Sequence, residues 1–273
     1  MDARFVAVTA VAGWALLAWM ANRSAYFPMK YPGGDWEERQ RVGAEDAWME
    51  ADGARLHGWW KRAEGAQAAV LFLHGNAGNV SHRAGAMEDL AAAGASVLVL
   101  DYRGYGRSEG RPTERGLYRD AEAGYEWLRG KGWGEDRIIL VGESLGAAVA
   151  VELAARRTCA GVVLEAPFPS ARAVAARVLP VLGPALVWGF DSLARIGNVR
   201  APLLVIHGDR DEVIDYDLGM DLYRAAPGPK SHWTVEGGHH NDLHFVHPEA
   251  YRARLRAFMM NACTAAVSSP PRS

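Results

Sequence analysis

The chain has 273 residues, of which 49% are hydrophobic and 23% are charged, and its formal net charge is −2 at pH 7. This length and composition are typical of a globular protein that buries one large α/β core. A near-neutral chain lacks the basic field that concentrates nucleic acid, so no nucleic-acid partner is expected. The two cysteines, Cys159 and Cys263, have neither metal-ligand spacing nor the pattern of a disulfide framework.

The N-terminus stands apart in composition, because residues 5–21 form an uncharged stretch. As a helix this stretch would be about 25 Å long, just under the hydrocarbon thickness of a bilayer. We therefore expect residues 1–25 to be an N-terminal hydrophobic anchor that crosses a membrane once, with its orientation open. The alternative is a cleaved signal peptide and a secreted or periplasmic protein, although Trp19 and Met20 fit poorly near a small-residue cleavage site.

The next segments predict an antiparallel edge followed by a mostly parallel sheet. Residues 26–32 indicate an extended connector, and residues 48–60, around Asp52-Gly53, predict a β-hairpin. Short apolar runs then alternate with helix-length segments, which is typical of an α/β fold with a parallel sheet flanked by helices. The predicted strands are 70–73, 97–100, 138–141, 162–164, 203–206 and 232–235, and the predicted helices are 85–93, 117–129, 147–156 and 250–260.

These elements predict one α/β domain over residues 26–262. Within it, the apolar segment 167–200 is longer than a simple crossover and predicts a small helical cap. That cap could bind acyl groups as a lid or pack on the sheet as ordinary helix surface, and both readings stay open. The polar tail, 263–273, is expected to be disordered.

Ser144 is the first candidate for chemistry. It lies at the centre of Gly142-Glu143-Ser144-Leu145-Gly146, after a predicted buried strand and before a predicted helix. This strand-turn-helix context is that of a nucleophile elbow, where glycines on either side allow strand and helix to approach closely. The sequence therefore predicts a serine nucleophile, whose hydroxyl needs a nearby base to become reactive.

Candidates for that base and for an orienting carboxylate follow in the order serine, aspartate, histidine. Asp211 is the first choice for the acid and Asp209 the alternative, since both follow the predicted strand that ends at His207-Gly208. His240 is the first choice for the base and His239 the second. His74 and His207 each precede a glycine at a strand end and are interpreted as structural.

Several motifs occurring in order resemble the α/β-hydrolase superfamily, and within it the Bem46-like branch. They are H-G-N-A-G-N at 74–79, D-Y-R-G-Y-G-R-S at 101–108, G-E-S-L-G at 142–146, H-G-D-R-D-E-V-I at 207–214 and G-H-H-N-D at 238–242. The resemblance implies Asp211 as the acid and His240 as the base. The chain has His239 where that branch usually has glycine. It also implies an oxyanion hole formed by Leu145 and Asn76.

The resulting expectation is a serine hydrolase that cleaves an ester or thioester through an acyl-enzyme, acting on lipid-like or acylated substrates. Neither a cofactor nor a metal is expected, because a zinc site at His240, His244 and His247 would need a glutamate where the chain has Asn241. Two alternatives stay open. One is a peptidase or amidase with the same triad, and the other is a membrane-tethered binding module without turnover.

Overall fold

The computed structural model describes the backbone of residues 3–23 and 25–268 and the side chains of residues 13–23 and 25–266. In this part of the chain, eight strands form one sheet in the order β10-β9-β8-β7-β4-β6-β3-β2. These strands are β2 (Glu45–Ala51), β3 (Ala54–Lys61), β4 (Ala68–Leu73), β6 (Ala95–Leu100), β7 (Ile138–Glu143), β8 (Gly161–Glu165), β9 (Leu203–Gly208) and β10 (Lys230–Val235). Two short strands, β1 (Phe27–Pro28) and β5 (Ala77–Gly78), pair with each other separately.

The helices flank this sheet. They are α1 (Ala3–Arg23), α2 (Glu38–Arg41), α3 (Ala84–Ala92), α4 (Glu114–Gly130), α5 (Leu145–Arg156), α6 (Ala171–Val178), α7 (Gly183–Leu186), α8 (Ser192–Ile196), α9 (Tyr216–Ala225), α10 (Leu243–Val246) and α11 (Pro248–Ser268). The predicted α/β architecture, with a mostly parallel sheet flanked by helices, is confirmed.

The sheet is buried on both faces because successive side chains of a strand point to opposite sides. On β4, Leu71 and Leu73 join the core that α4 and α5 cover, whereas Val70 and Phe72 join the core beneath α3 and α11. The continuous apolar runs that predicted the strands are the consequence of this double burial.

The predicted antiparallel edge is also confirmed. β3 runs antiparallel to both of its neighbours, β2 and β6. The turn between β2 and β3 is Asp52-Gly53, and both residues have positive φ, 48° and 77°. Two consecutive positive φ angles are the requirement of a two-residue hairpin turn of type I′, which Asp-Gly meets at little steric cost.

The membrane-spanning segment predicted at residues 5–21 is not supported. Among residues 13–23 and 25–266, whose side chains the structure describes, no helix is long and apolar enough to cross a membrane, and the first part of the predicted span, residues 5–12, lies outside them. The C-terminal end of α1 packs on the cap. Trp14 stacks against Trp188 with ring centroids 6.1 Å apart, and the Asn22 side chain donates to Leu186 O at 2.8 Å and accepts from Trp188 N at 3.1 Å.

Two further predictions concern the cap at 167–200 and the tail from 263. Between β8 and β9 the chain forms α6, α7 and α8, and several large apolar side chains of this segment are exposed, including Val178 and Val181. At the C-terminus, α11 continues to Ser268, through a stretch predicted to be a disordered tail from 263. Ala262 and Cys263 are buried in the core beneath α3 and α11, and this burial stabilises the helix beyond residue 262. Residues 269–273 lie outside the described residues.

Candidate active site

Ser144 occupies a strained turn between β7 and α5. Its φ of 53° and ψ of −113° place a non-glycine residue in a sparsely populated region, and the strain is tolerated where the surroundings fix it. The main-chain N–H of Ser144 donates to Glu165 O on β8 at 2.8 Å. A Cβ atom at Gly146 would overlap the carbonyl oxygen of Leu73, so glycine is required for α5 to approach β4 this closely.

The structure brings together the three side chains predicted from the sequence. His240 Nε2 lies 3.0 Å from Ser144 Oγ, and His240 Nδ1 lies 2.8 Å from Asp211 Oδ2. Ser144 and His240 are each 8% exposed, and the Asp211 side chain is fully buried. A histidine in this position can accept the serine proton at Nε2 while its Nδ1–H donates to the carboxylate.

Asp211 and Asp209, the two candidate acids, have separate contacts. The second oxygen of Asp211, Oδ1, accepts from Val213 N at 2.9 Å and Ile214 N at 2.8 Å, which turns the other oxygen toward His240. Asp209 Oδ1 accepts instead from Gly237 N at 2.7 Å. Asp209 therefore ties the loop after β9 to the loop after β10, and of the two aspartates it is Asp211 that contacts the imidazole of His240.

The charge of Asp211 is stabilised within the site. Burial alone would raise the pKa of this carboxyl, but hydrogen bonds from His207 and His240 outweigh the burial and hold the pKa well below its usual value. His207 Nε2 lies 3.2 Å from Asp211 Oδ2 and 3.0 Å from Ile214 O. The sequence interpretation of His207 as structural did not identify its contact with Asp211.

His239, the alternative base, faces another partner. Its Nδ1 lies 3.0 Å from Glu212 Oε2, and its side chain is about half exposed. Its main-chain N–H donates to Asp242 Oδ1 at 2.7 Å. The imidazole of His239 thus joins the loops that carry Asp211 and His240 at the solvent side, and the nitrogen within reach of Ser144 belongs to His240.

The two residues predicted for an oxyanion hole, Leu145 and Asn76, lie on different elements. Leu145 is the first residue of α5, where main-chain N–H groups have no partner within the helix. The Asn76 side chain does not point to solvent as a free donor, because its Nδ2 donates to Ala25 O at 3.1 Å. The donor that the resemblance implies at Asn76 is its main-chain N–H.

Sequence reasoning did not identify two contacts next to the elbow. Arg83 Nε lies 3.0 Å from Glu143 Oε2, and Arg83 Nη2 donates to Ala77 O at 3.3 Å, so this pair connects the elbow to the loop that carries Asn76. Behind the elbow, the Tyr251 hydroxyl donates to buried Glu165. Both contacts join residues more than 55 positions apart, and no local pattern signals them.

Comparisons with known proteins bear on the family. Residues 64–194 match the model of a family described as serine aminopeptidase, S33. The chain is 39% identical over 262 residues to an uncharacterized protein of Mycobacterium tuberculosis, with 93% of each chain covered. Among solved structures, an esterase of Pyrococcus furiosus has a TM-score of 0.73 at 22% identity, covering 87% of this chain and 98% of that one.

A further relative carries the family in its name. The chain is 35% identical over 232 residues to the alpha/beta hydrolase domain-containing protein 17C of Xenopus tropicalis, covering 82% of this chain and 73% of that protein. Identity of this level across most of both chains, together with the sheet order and the elbow, shows that the chain belongs to the α/β-hydrolase superfamily and is a hydrolase.

Proposed function

We propose that the protein is a serine hydrolase that cleaves a carboxylic ester or thioester through an acyl-enzyme intermediate. The observation that carries the proposal is the aligned set Ser144 Oγ, His240 and Asp211, with contacts of 3.0 and 2.8 Å. Three such groups in series, beside the N-terminus of a helix, are the arrangement that acyl transfer needs.

In this mechanism His240 Nε2 takes the hydroxyl proton as Ser144 Oγ attacks the carbonyl carbon. Asp211 holds the imidazole in the tautomer with its proton on Nδ1 and stabilises the imidazolium that forms. The main-chain N–H groups of Leu145 and Asn76 donate to the oxyanion of the tetrahedral intermediate. His240 then returns the proton to the leaving alcohol or thiol, and a water molecule activated by the same histidine releases the acid.

Lipid-like or acylated substrates are the proposed class. Support comes from the cap, which follows β8, the strand next to β7 and the elbow. Its exposed apolar side chains are those of Val178, Leu179, Val181, Leu182 and Trp188. A cluster of exposed apolar side chains is typical of a site that binds an apolar group. We expect kcat/KM for a series of 4-nitrophenyl esters to rise with acyl length from two carbons to eight or more, and a preference for the shortest ester would contradict this substrate class.

Labelling with a fluorophosphonate probe tests the central proposal. Covalent capture requires an activated serine, so the native protein should label and Ser144→Ala should not. Circular dichroism of both proteins would show that the substitution leaves the fold intact. A native protein that is folded but does not label would refute the proposal and favour a binding module without turnover.

A peptidase or amidase is the second candidate, which the description of the matched family, serine aminopeptidase, favours. The same triad can cleave an amide when the histidine protonates the leaving amine. Matched ester and amide substrates with one acyl group separate the two candidates. A kcat/KM for the amide equal to that for the ester would favour the peptidase.

The branch and the cellular location stay predictions. The Bem46-like assignment depends on the motifs at 207–214 and 238–242. Location at a membrane or outside the cell after signal cleavage would be tested by fractionating cells that express the tagged full chain and by sequencing the N-terminus of the recovered protein.

A further inference from the structure

The segment that connects α1 to the domain, residues 25–31, packs against the loop that carries Asn76. We call this segment the strap. Its strand β1 pairs in parallel with β5, in the register Phe27 to Ala77 and Pro28 to Gly78. Met29 N also donates to Gly78 O at 2.9 Å. The strap therefore forms a small sheet with residues 76–78, immediately beyond the main sheet strand β4.

Asn76 is held by this sheet on both its main chain and its side chain. Its carbonyl oxygen accepts two hydrogen bonds, from Phe27 N at 2.9 Å and from the Tyr105 hydroxyl at 2.8 Å. Its side-chain amide donates to Ala25 O at 3.1 Å. Two hydrogen bonds to the carbonyl oxygen and one from the side chain thus restrain the position of Asn76.

The orientation of the Asn76 main-chain N–H is fixed from the preceding peptide. His74 Nδ1 lies 2.7 Å from Gly75 O, and the peptide between Gly75 and Asn76 carries both this carbonyl and the Asn76 N–H. In a trans peptide the two groups point in opposite directions, so a hydrogen bond that fixes the carbonyl also fixes the N–H.

The strap is anchored at both of its ends. At one end, Tyr31 N donates to Gly106 O and Gly106 N donates to Met29 O, each at 2.9 Å. At the other end, the Tyr26 ring meets the ring of Phe190 of the cap, with centroids 6.2 Å apart. A segment with these attachments can resist displacement of the loop at 76–78.

We propose that the strap is a positioning element of the active site, which holds the Asn76 peptide in the orientation that stabilises the oxyanion. The inference depends on the proposed acyl-transfer function. Oxyanion donors act only when they are aimed before the charge develops, so a loosened peptide lowers the rate of the chemical step rather than substrate binding. Phe27, through its N–H, and Tyr105, through its hydroxyl, are positioning residues.

Four variants of the full chain test this proposal. Phe27→Pro removes the strap N–H, and Phe27→Ala keeps it, so their difference isolates that hydrogen bond. Tyr105→Phe removes the second donor to Asn76 O and retains the buried ring. Tyr125→Phe is the matched control, because this hydroxyl also lies on a buried ring but donates to Thr158 O, at the opposite end of the sheet from Ser144.

We expect fluorophosphonate labelling and kcat to fall about tenfold or more in Phe27→Pro relative to Phe27→Ala, and roughly threefold to tenfold in Tyr105→Phe, with KM nearly unchanged. Hydrogen–deuterium exchange at residues 75–80 should accelerate in both variants. Tyr125→Phe should label at the native rate and show native exchange in this loop.

Native kcat in both Phe27→Pro and Tyr105→Phe, or native exchange at 75–80, would overturn the proposal. If Phe27→Pro does not fold, Tyr105→Phe against Tyr125→Phe still decides it. Failure of the native protein to label would refute acyl transfer itself and with it the strap's catalytic role, whereas a native protein that labels together with unaffected variants would refute the strap alone.

Discussion

Two aspartates with buried side chains, Asp211 and Asp101, each lie between two histidines. The cluster around Asp211 belongs to the candidate active site, and the cluster around Asp101 does not. Asp211 contacts His240 at 2.8 Å and His207 at 3.2 Å. Asp101 lies 3.6 Å from His57 Nδ1 and 3.7 Å from His74 Nε2. All of these side chains except that of His240, which is 8% exposed, are fully buried.

The difference lies in what each histidine contacts on its other side. His240 presents its second nitrogen to Ser144 Oγ. His57 Nε2 instead faces Asp46 Oδ1 at 2.9 Å, and His74 Nδ1 faces Gly75 O at 2.7 Å. The same residue types thus hold an imidazole against a serine hydroxyl in one cluster and brace the loop of Gly75 and Asn76 in the other, and the distinguishing feature is the Ser144 hydroxyl within hydrogen-bond distance.

The largest expected effect comes from removing the imidazole that contacts the nucleophile. His240→Ala should lower kcat by about 10⁵-fold or more, because the serine loses its base. His239→Ala, the neighbouring control, should change kcat by less than about tenfold, since its ring faces Glu212. Steady-state hydrolysis of a 4-nitrophenyl ester measures both. A larger loss in His239→Ala would reassign the base.

The carboxylate of the same cluster should have the next largest effect. Asp211→Asn replaces a charged acceptor by an amide that cannot hold His240 in the required tautomer, so kcat should fall on the order of 10³- to 10⁴-fold. Asp209→Asn is the matched control at a residue whose carboxylate contacts Gly237 N. Equal losses in the two variants would show that Asp211 acts on the loop structure rather than on the imidazole.

In the second cluster the expected effect is on stability. Burial would raise the pKa of Asp101, but the nearby imidazoles of His57 and His74 outweigh the burial and lower the pKa. Asp101→Asn should reduce the free energy of unfolding by about 3 to 5 kcal/mol at pH 7, because two buried histidines lose their charged partner. Urea unfolding at pH 7 measures this loss.

The pH dependence of that variant gives a second check. A carboxylate with a lowered folded-state pKa contributes stability above its unfolded pKa, near 4, and loses it as the pH falls further. The unfolding free energies of native protein and Asp101→Asn should therefore converge below about pH 4. A constant difference down to pH 3 would mean that the aspartate acts through its shape and not its charge.

The sequence predicts features that depend on neighbouring residues. The strands, the elbow at Ser144 and the order of Asp211 and His240 follow from apolar runs and turn motifs, each contained within about ten residues. Contacts between distant segments were not predictable in this way. The strap meets the loop of Asn76 about 50 positions away, and α1, read as an anchor from its composition, places Asn22 against Leu186.

A third buried carboxyl, that of Glu165, sharpens the comparison because it lacks a histidine. Burial raises its pKa to about 7, although the hydrogen bond from Tyr251 acts in the opposite direction, and the nearby charges of Glu143 and Asp89 raise it further. Where Asp101 and Asp211 are ionised with basic partners, Glu165 is predicted to stay protonated in the fold at weakly acidic pH.

The smallest expected effect on stability depends on the proton that Glu165 retains in the fold. As the pH rises from about 4.5, the unfolded chain releases the proton while the folded protein retains it until about pH 7, so stability declines across this window by about 2 to 3 kcal/mol. Glu165→Gln keeps an oxygen that can accept from Tyr251 and does not titrate. Urea unfolding from pH 4.5 to 8 should show the native protein losing stability relative to Glu165→Gln, whereas parallel curves would mean that Glu165 is ionised in the fold.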